Sequence, residues 1–255
     1  MATISFAPKG DTNTTPAPAQ VVIATPDKAE VSLAIAEPKT LAAPVRISAS
    51  GVTGEITQDD LRVPRVNLVQ KSGQLCDNFS PGSFLYEKQI VLAKPGSAFT
   101  ATILKFRKYY QEKIEFGTSS EMPAKADTAE EVRALGGSLL FGHPRYFQDA
   151  ADIMLAVRAP EGLDEGAKEL FAYNDGEHDY GLAIYTITAS SFTSLGKRIL
   201  TDATLLLRTG LHLGQYEISS ELKKNGTNSW YVPVGKFAGK HSAEKAEFFQ
   251  SLASI

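Results

Sequence analysis

Apolar residues along this chain fall in short stretches, most of them alternating with polar residues at every second position, which is the mark of a half-buried strand. The alternation predicts strands at Ser83 to Leu92, Phe99 to Phe116, Ile153 to Arg158 and Leu182 to Ala189. A further pair, Gln215 to Lys223 and Ser229 to Lys236, brackets Asn225-Gly226, a hairpin signal. Lys94-Pro95-Gly96 separates the first two stretches and predicts a hairpin between them, because proline presets φ and glycine supplies a positive one. The segment Ile56 to Gln70 contains Pro64, which suits an edge or extended segment rather than a central strand. Helical signals are few. Asp127 followed by Glu130 starts a short helix that Gly136-Gly137 ends, and Ser242 caps a terminal helix carrying Ala246, Phe249 and Leu252 on one side.

Residues 1–55 break the pattern. Pro8, Pro16, Pro18, Pro26, Pro38 and Pro44 are interleaved with Ala and Thr, and Phe6 is the only aromatic before the core. So little apolar surface cannot offset the entropy of ordering, so a disordered N-terminal arm is expected, with Val21 to Ala24 and Val31 to Ile35 able to add a strand to a partner. The organisation predicted is this arm, a β core over 56–240 and a C-terminal helix over 241–255 packed on it. The fold class is mainly β with minor α: an OB-like Greek-key barrel with insertions, or a small sandwich.

Composition changes this picture little. Of the 255 residues 43% are hydrophobic and 22% charged, ordinary for a globular chain. No apolar run reaches the roughly 18 residues that a membrane span needs. The N-terminus lacks the basic and apolar regions of a secretory signal, and the single Cys76 cannot form an internal disulfide, so a reducing cytoplasm is expected. The net charge of −3 excludes wholesale attraction to nucleic acid and leaves only local segregation. Segregation is present: Ala159 to Tyr180 is strongly acidic, while Thr193 to Lys240 is basic on balance.

The most informative segment is Phe99 to Phe116. Read with a period of two, Leu104, Phe106, Tyr110 and Ile114 share one face, and Ile103, Lys105, Arg107, Tyr109, Gln111 and Lys113 share the other. The second face sets three cations and an aromatic ring in one row, spaced by about 6.6 Å per step. Cations neutralise phosphates and an exposed ring stacks a base, which is the chemistry that a single nucleic-acid strand requires. An ordinary solvated strand face is the alternative. Three further basic elements stand elsewhere: Lys223 and Lys224 before a turn with Trp230 and Tyr231 after it, Lys197-Arg198, and Arg62 with Arg65 around Val63-Pro64. Trp230 could stack on a base, but a lone Trp is more often a core or hairpin anchor, because it buries so much apolar area.

Catalytic patterns are missing. No Walker loop is present, the four histidines have no ligand spacing, and no Gly-x-Ser-x-Gly frames a nucleophile. The stretch Asn174 to Asp179 is rich in oxygen ligands but departs from EF-hand spacing, and reads as an exposed acidic loop. No catalytic residue, metal or cofactor is expected, and the chain reads as a non-enzyme.

LRVPRVNLVQ ending at Gln70, the PGS of Pro81 to Ser83, ILKFRKYY at Ile103 to Tyr110 and NSWYVPVGKF at Asn228 to Phe237 together resemble single-stranded DNA-binding proteins encoded by tailed bacteriophages. The similarity is spread in patches over Asp60 to Phe237. It implies an OB-like fold that coats single-stranded DNA without sequence preference or cofactor during phage replication or recombination, in the host cytoplasm. Replication or recombination proteins are the implied partners, with RNA as a second strand type and self-association left open. The end Ser251 to Ile255 lacks the acidic tip with which many such proteins recruit partners. Two other readings stand beside it: a structural or assembly protein whose arm orders on assembly, and a hydrolase or nuclease built from residues dispersed in sequence.

Overall fold

The computed structural model describes residues 62–114 and 122–254. The chain divides after Thr57 into two units, and the described fold belongs to the second. The expected N-terminal arm lies outside the described residues.

Among the described residues ten strands form two antiparallel sheets. A small sheet holds β1 (Val66–Leu68), β2 (Phe84–Tyr86) and β3 (Ile90–Ala93) in that order. The large sheet is built from β4 (Ala98–Glu112), β5 (Lys125–Ala126), β6 (Phe147–Arg158), β7 (Tyr173–Asn174), β8 (Asp179–Thr188), β9 (Gly214–Asn225) and β10 (Asn228–Lys240). Its order is β10-β9-β4-β6-β8-β7, with β5 beside the far end of β4. The mainly β class expected from the alternation is what the chain adopts. Helices are short: α1 (Ala129–Ala134), α2 (Glu165–Lys168), a helical run from α3 (Ala189–Ser191) through α4 (Lys197–Asp202) to Leu207, and α5 (Ala243–Ala253).

Three local signals resolve differently from the sequence expectation. The turn at Lys94 forms, with the Ser97 amide donating to the Lys94 carbonyl at 3.0 Å. It joins the two sheets rather than closing a hairpin, because β3 pairs with β2 while β4 pairs with β5, β6 and β9. The actual hairpin lies inside Ser83 to Leu92. Its turn residues Glu87 and Lys88 both take positive φ, 50° and 62°, without the Asn or Gly that would signal it. The cap of α1 moves one residue, to Thr128, whose hydroxyl accepts from the Glu131 amide at 3.1 Å.

The main core lies between the two sheets and the helical run. Phe84, Tyr86, Phe99, Ile103, Ile153, Leu155, Ile187, Leu195 and Tyr216 form its centre. The small sheet links the two sides of the large one. On one side the Ile184 amide of β8 donates to the Pro64 carbonyl at 2.8 Å, and Arg65 bridges Ile184. On the other, the Gln70 side chain acts as a strand residue toward β10: its Nε2 donates to the Tyr231 carbonyl at 3.0 Å and its Oε1 accepts from the Tyr231 amide at 2.9 Å. Gly82 lets this junction close, since a Cβ there would stand 2.6 Å from the Tyr231 ring and the residue sits at a φ of +92°.

A second apolar cluster lies on the outer face, where Phe249 and Leu252 of α5 cover Leu104, Ala156 and Tyr180. Ser242 caps α5 as expected, accepting from the Lys245 amide. His241 joins the helix to the sheet: its Nε2 is 2.8 Å from the Thr102 hydroxyl and its ring lies 4.5 Å from that of Phe249. Burial holds the His241 pKa below the usual histidine range. Among the described residues no helix is long and apolar enough to cross a membrane.

Candidate nucleic-acid interface

The geometry of β4 decides which of its residues face outward. A bulge sits at Leu104, so that Ile103 pairs with Leu155 but Lys105 already pairs with Met154. One extra residue shifts the alternation. Before the bulge the core-facing residues are Phe99, Ala101 and Ile103; after it Phe106 packs against the same core. Ile103 therefore leaves the outer face where unbroken alternation had put it, and Leu104 joins the outer cluster under α5.

Beyond α5 the outer face is polar and basic. Cross-strand partners share a face, so the row Lys105, Met154, Ile184 and Arg65 runs across β4, β6, β8 and the segment before β1. The adjacent row holds Arg107, Asp152 and Thr186. Lys105 and Arg65 are exposed, and neither has a carboxylate partner among the described residues. Arg107 pairs with Asp127 at 2.9 Å, both side chains largely exposed, an arrangement that solvent screens. Lys125, brought in by β5, adds a cation that the sequence reading missed; its Nζ lies 4.7 Å from the centre of the Tyr109 ring. A two-residue strand carries too little pattern to be read from sequence.

Tyr109 departs from the expectation of an exposed stacking ring. It is 2% exposed, lies beneath Lys125, and donates its hydroxyl to Asp152 at 3.2 Å. Thr186 donates to the same carboxylate at 2.7 Å. Burial, and after it the Asp152 charge, push the Tyr109 pKa up to about 12. The residue is a fastener for β4 and β6 beneath the basic rows and offers no face to a base.

Other candidates lie apart. β9 meets β4 only through Ala98 to Thr102, so the tip with Lys223, Lys224, Trp230 and Tyr231 projects beyond Ala98. Lys105 lies the other way, about 23 Å along the strand from Ala98 at 3.3 Å per residue. Trp230 is half-buried, its Nε1 donating to the Ser190 hydroxyl at 3.0 Å, and Tyr231 is held by Gln70, so both act as anchors. The tip turn is a two-residue loop of Gly226-Thr227, one position later than Asn225-Gly226, with Gly226 at a φ of 58°. Arg198 is bound to the buried Asp202 at 2.8 Å, whereas Lys197 is exposed on the same short helix. Arg62 pairs with Glu87 at 3.5 Å. Lys113 stands one residue past β4, with its Nζ 5.7 Å from the ring centre of Phe141.

Most of the loop Asn174 to Asp179 is exposed as expected, but one of its acids is not. The Asp175 carboxyl is 1% exposed, accepts from the amides of Glu177 and His178 at 2.9 and 2.8 Å, and pairs with Lys245 of α5 at 3.3 Å. Lys245 also binds Glu177 at 2.7 Å. Asp175 and Glu177 thus latch the terminal helix and are engaged there. Among the described residues no cluster of His, Cys, Asp and Glu has the geometry to hold a metal ion.

Comparison with protein-family models, with curated proteins and with solved structures yields no match.

Proposed function

We propose that this chain binds single-stranded DNA without sequence preference and without catalysing a reaction on it, in the manner of the phage proteins that its motifs resemble. The observation that carries the reading is the pair of outer-face rows in which Arg65 and Lys105 stand exposed, without a carboxylate partner among the described residues, with Arg107 and Lys125 beside them. Four cations on a sheet face suit a phosphate chain, and Asp152, in the same row as Arg107, is already engaged by the hydroxyls of Tyr109 and Thr186. Coating of DNA during replication or recombination is the role that such binding would serve, in the cytoplasm of the host.

The test is fluorescence anisotropy of a labelled thymidine oligonucleotide. Binding at about 50 mM salt should weaken as salt rises, with a slope of about −2.8 in log K against log salt for four phosphate contacts. The Lys105→Ala/Arg107→Ala double variant should flatten that slope by about 1.4 and weaken binding roughly tenfold or more. Absence of binding, or a variant that matches the parent, overturns the reading.

A second reading, a self-associating assembly protein, is favoured by a different observation. Leu200, Leu205 and Leu206 are exposed along the helical run, Leu205 at 63%. Sedimentation of large species in the absence of nucleic acid would support this reading against the first.

A further inference from the structure

With Tyr109 buried, the basic rows hold no exposed aromatic ring among the described residues, yet single-strand binding draws much of its energy from stacking. Among the described residues the most exposed aromatic ring is Phe141, at 85%, next to Leu140 at 76%. They stand at the tip of the loop between α1 and β6, which is tightly tied. The Ser138 amide donates to the Arg145 carbonyl at 3.0 Å, the Phe147 amide to the Ser138 carbonyl at 2.8 Å, and the His143 amide to the Leu140 carbonyl at 3.2 Å. Arg145 fastens the loop base, its guanidinium holding Glu112 of β4 at 2.8 Å and reaching the Leu135 carbonyl. A loop so constrained keeps its apolar tip in water instead of folding it inward. Tyr146 steadies the Phe141 ring edge-on at 5.7 Å, and Lys113 sets a cation at the same distance.

We propose that Phe141 is the base-stacking residue of this protein, with Lys113 holding the phosphate beside it, so that a single strand runs from the Lys105/Arg107 rows along β4 to this tip. The inference rests on the single-strand reading. The occupant is a nucleotide rather than an apolar protein groove because the ring lies beside a lysine that has no carboxylate partner among the described residues, next to a basic strand, and a rigid ring with a neighbouring positive charge matches a base and its phosphate. From Lys105 to Lys113 is about 26 Å along the strand. At a rise of 3.4 Å that is about eight stacked nucleotides, within the range bound by one single-strand-binding domain.

The test compares Phe141→Ala, Phe141→Leu and Phe141→Trp in the full chain, using thymidine oligonucleotides at about 50 mM salt. Alanine and leucine should each weaken binding by roughly 5- to 100-fold while tryptophan retains it, since stacking needs a π-face. In a Trp230→Phe background, the fluorescence of Phe141→Trp should be quenched by the oligonucleotide. A tip built for an apolar protein groove would tolerate leucine, and that result overturns the proposal. So does a Phe141→Ala variant that binds like the parent while Lys105→Ala/Arg107→Ala does not. If the parent itself fails to bind, the single-strand reading falls and this inference falls with it. Because the side chain is so exposed, thermal melting should be unchanged in all three variants, which separates lost stacking from lost folding.

Discussion

Replacing Asp175 by Asn tests whether the acidic loop is a structural latch. Burial of the carboxyl opposes its charge, but the amides of Glu177 and His178, then Lys245 and the Tyr180 hydroxyl, outweigh it and hold its pKa down to about 2 against an ordinary 3.8. At 1.36 kcal/mol per tenfold change, that difference corresponds to roughly 2.5 kcal/mol of stability at neutral pH. The folded value lies below the unfolded one, so the stabilisation is complete above about pH 4 and is lost as pH falls through about 2. An asparagine keeps an acceptor for the amides but turns an N–H₂ group toward Lys245 and Tyr180. The Asp175→Asn variant should therefore lose about 2 kcal/mol in urea unfolding at pH 7, and the gap to the parent should close as pH drops from 4 toward 2. A loss below about 0.5 kcal/mol, the range of an ordinary surface substitution, would refute the reasoning. So would a gap independent of pH. The fluorescence of Trp230 reports the transition, since its Nε1–H bond to Ser190 breaks on unfolding.

Lys88→Gly should stabilise the protein by about 0.5–1 kcal/mol, because a left-handed residue with a Cβ carries a strain that glycine lacks; an unchanged urea midpoint would contradict the strain at that turn. Gln70→Ala removes both side-chain bonds to Tyr231 and should cost about 2 kcal/mol, measured by thermal or urea unfolding, while a neutral result would mean that the junction between β10 and the small sheet contributes little. Lys125→Ala should leave stability within about 0.5 kcal/mol and flatten the salt dependence of oligonucleotide binding by about 0.7, the share of one phosphate contact; an unchanged slope would place Lys125 outside the interface.

The pattern of the chain carried the class and most of the elements. Alternation located β4, β6, β8, β9 and β10, since a strand with one buried face must write that face into every second residue. Caps and turns carried α1, α5 and the late hairpin to within a residue or two. The candidate site was legible only in part. Lys105 and Arg107 are outward because they follow the bulge, and Arg65 is outward because its neighbour Val66 enters the core.

What remained illegible depended on contacts between residues far apart in sequence. A bulge is one extra residue whose presence shows only in the register with the partner strand, so the switch of Ile103 to the core and Leu104 to the outer cluster could not be read from β4 alone. Tyr109 has the composition of an exposed ring; only the approach of Lys125 and Asp152 buries it. Asp175 lies in a run of acids that looks solvated until α5 brings Lys245 onto it. Local sequence thus determined which segments extend and which face of each is apolar, because those properties follow from period and turn chemistry. Which charges stand free and which rings stay in water was decided by tertiary structure, because both depend on the neighbour that the fold supplies.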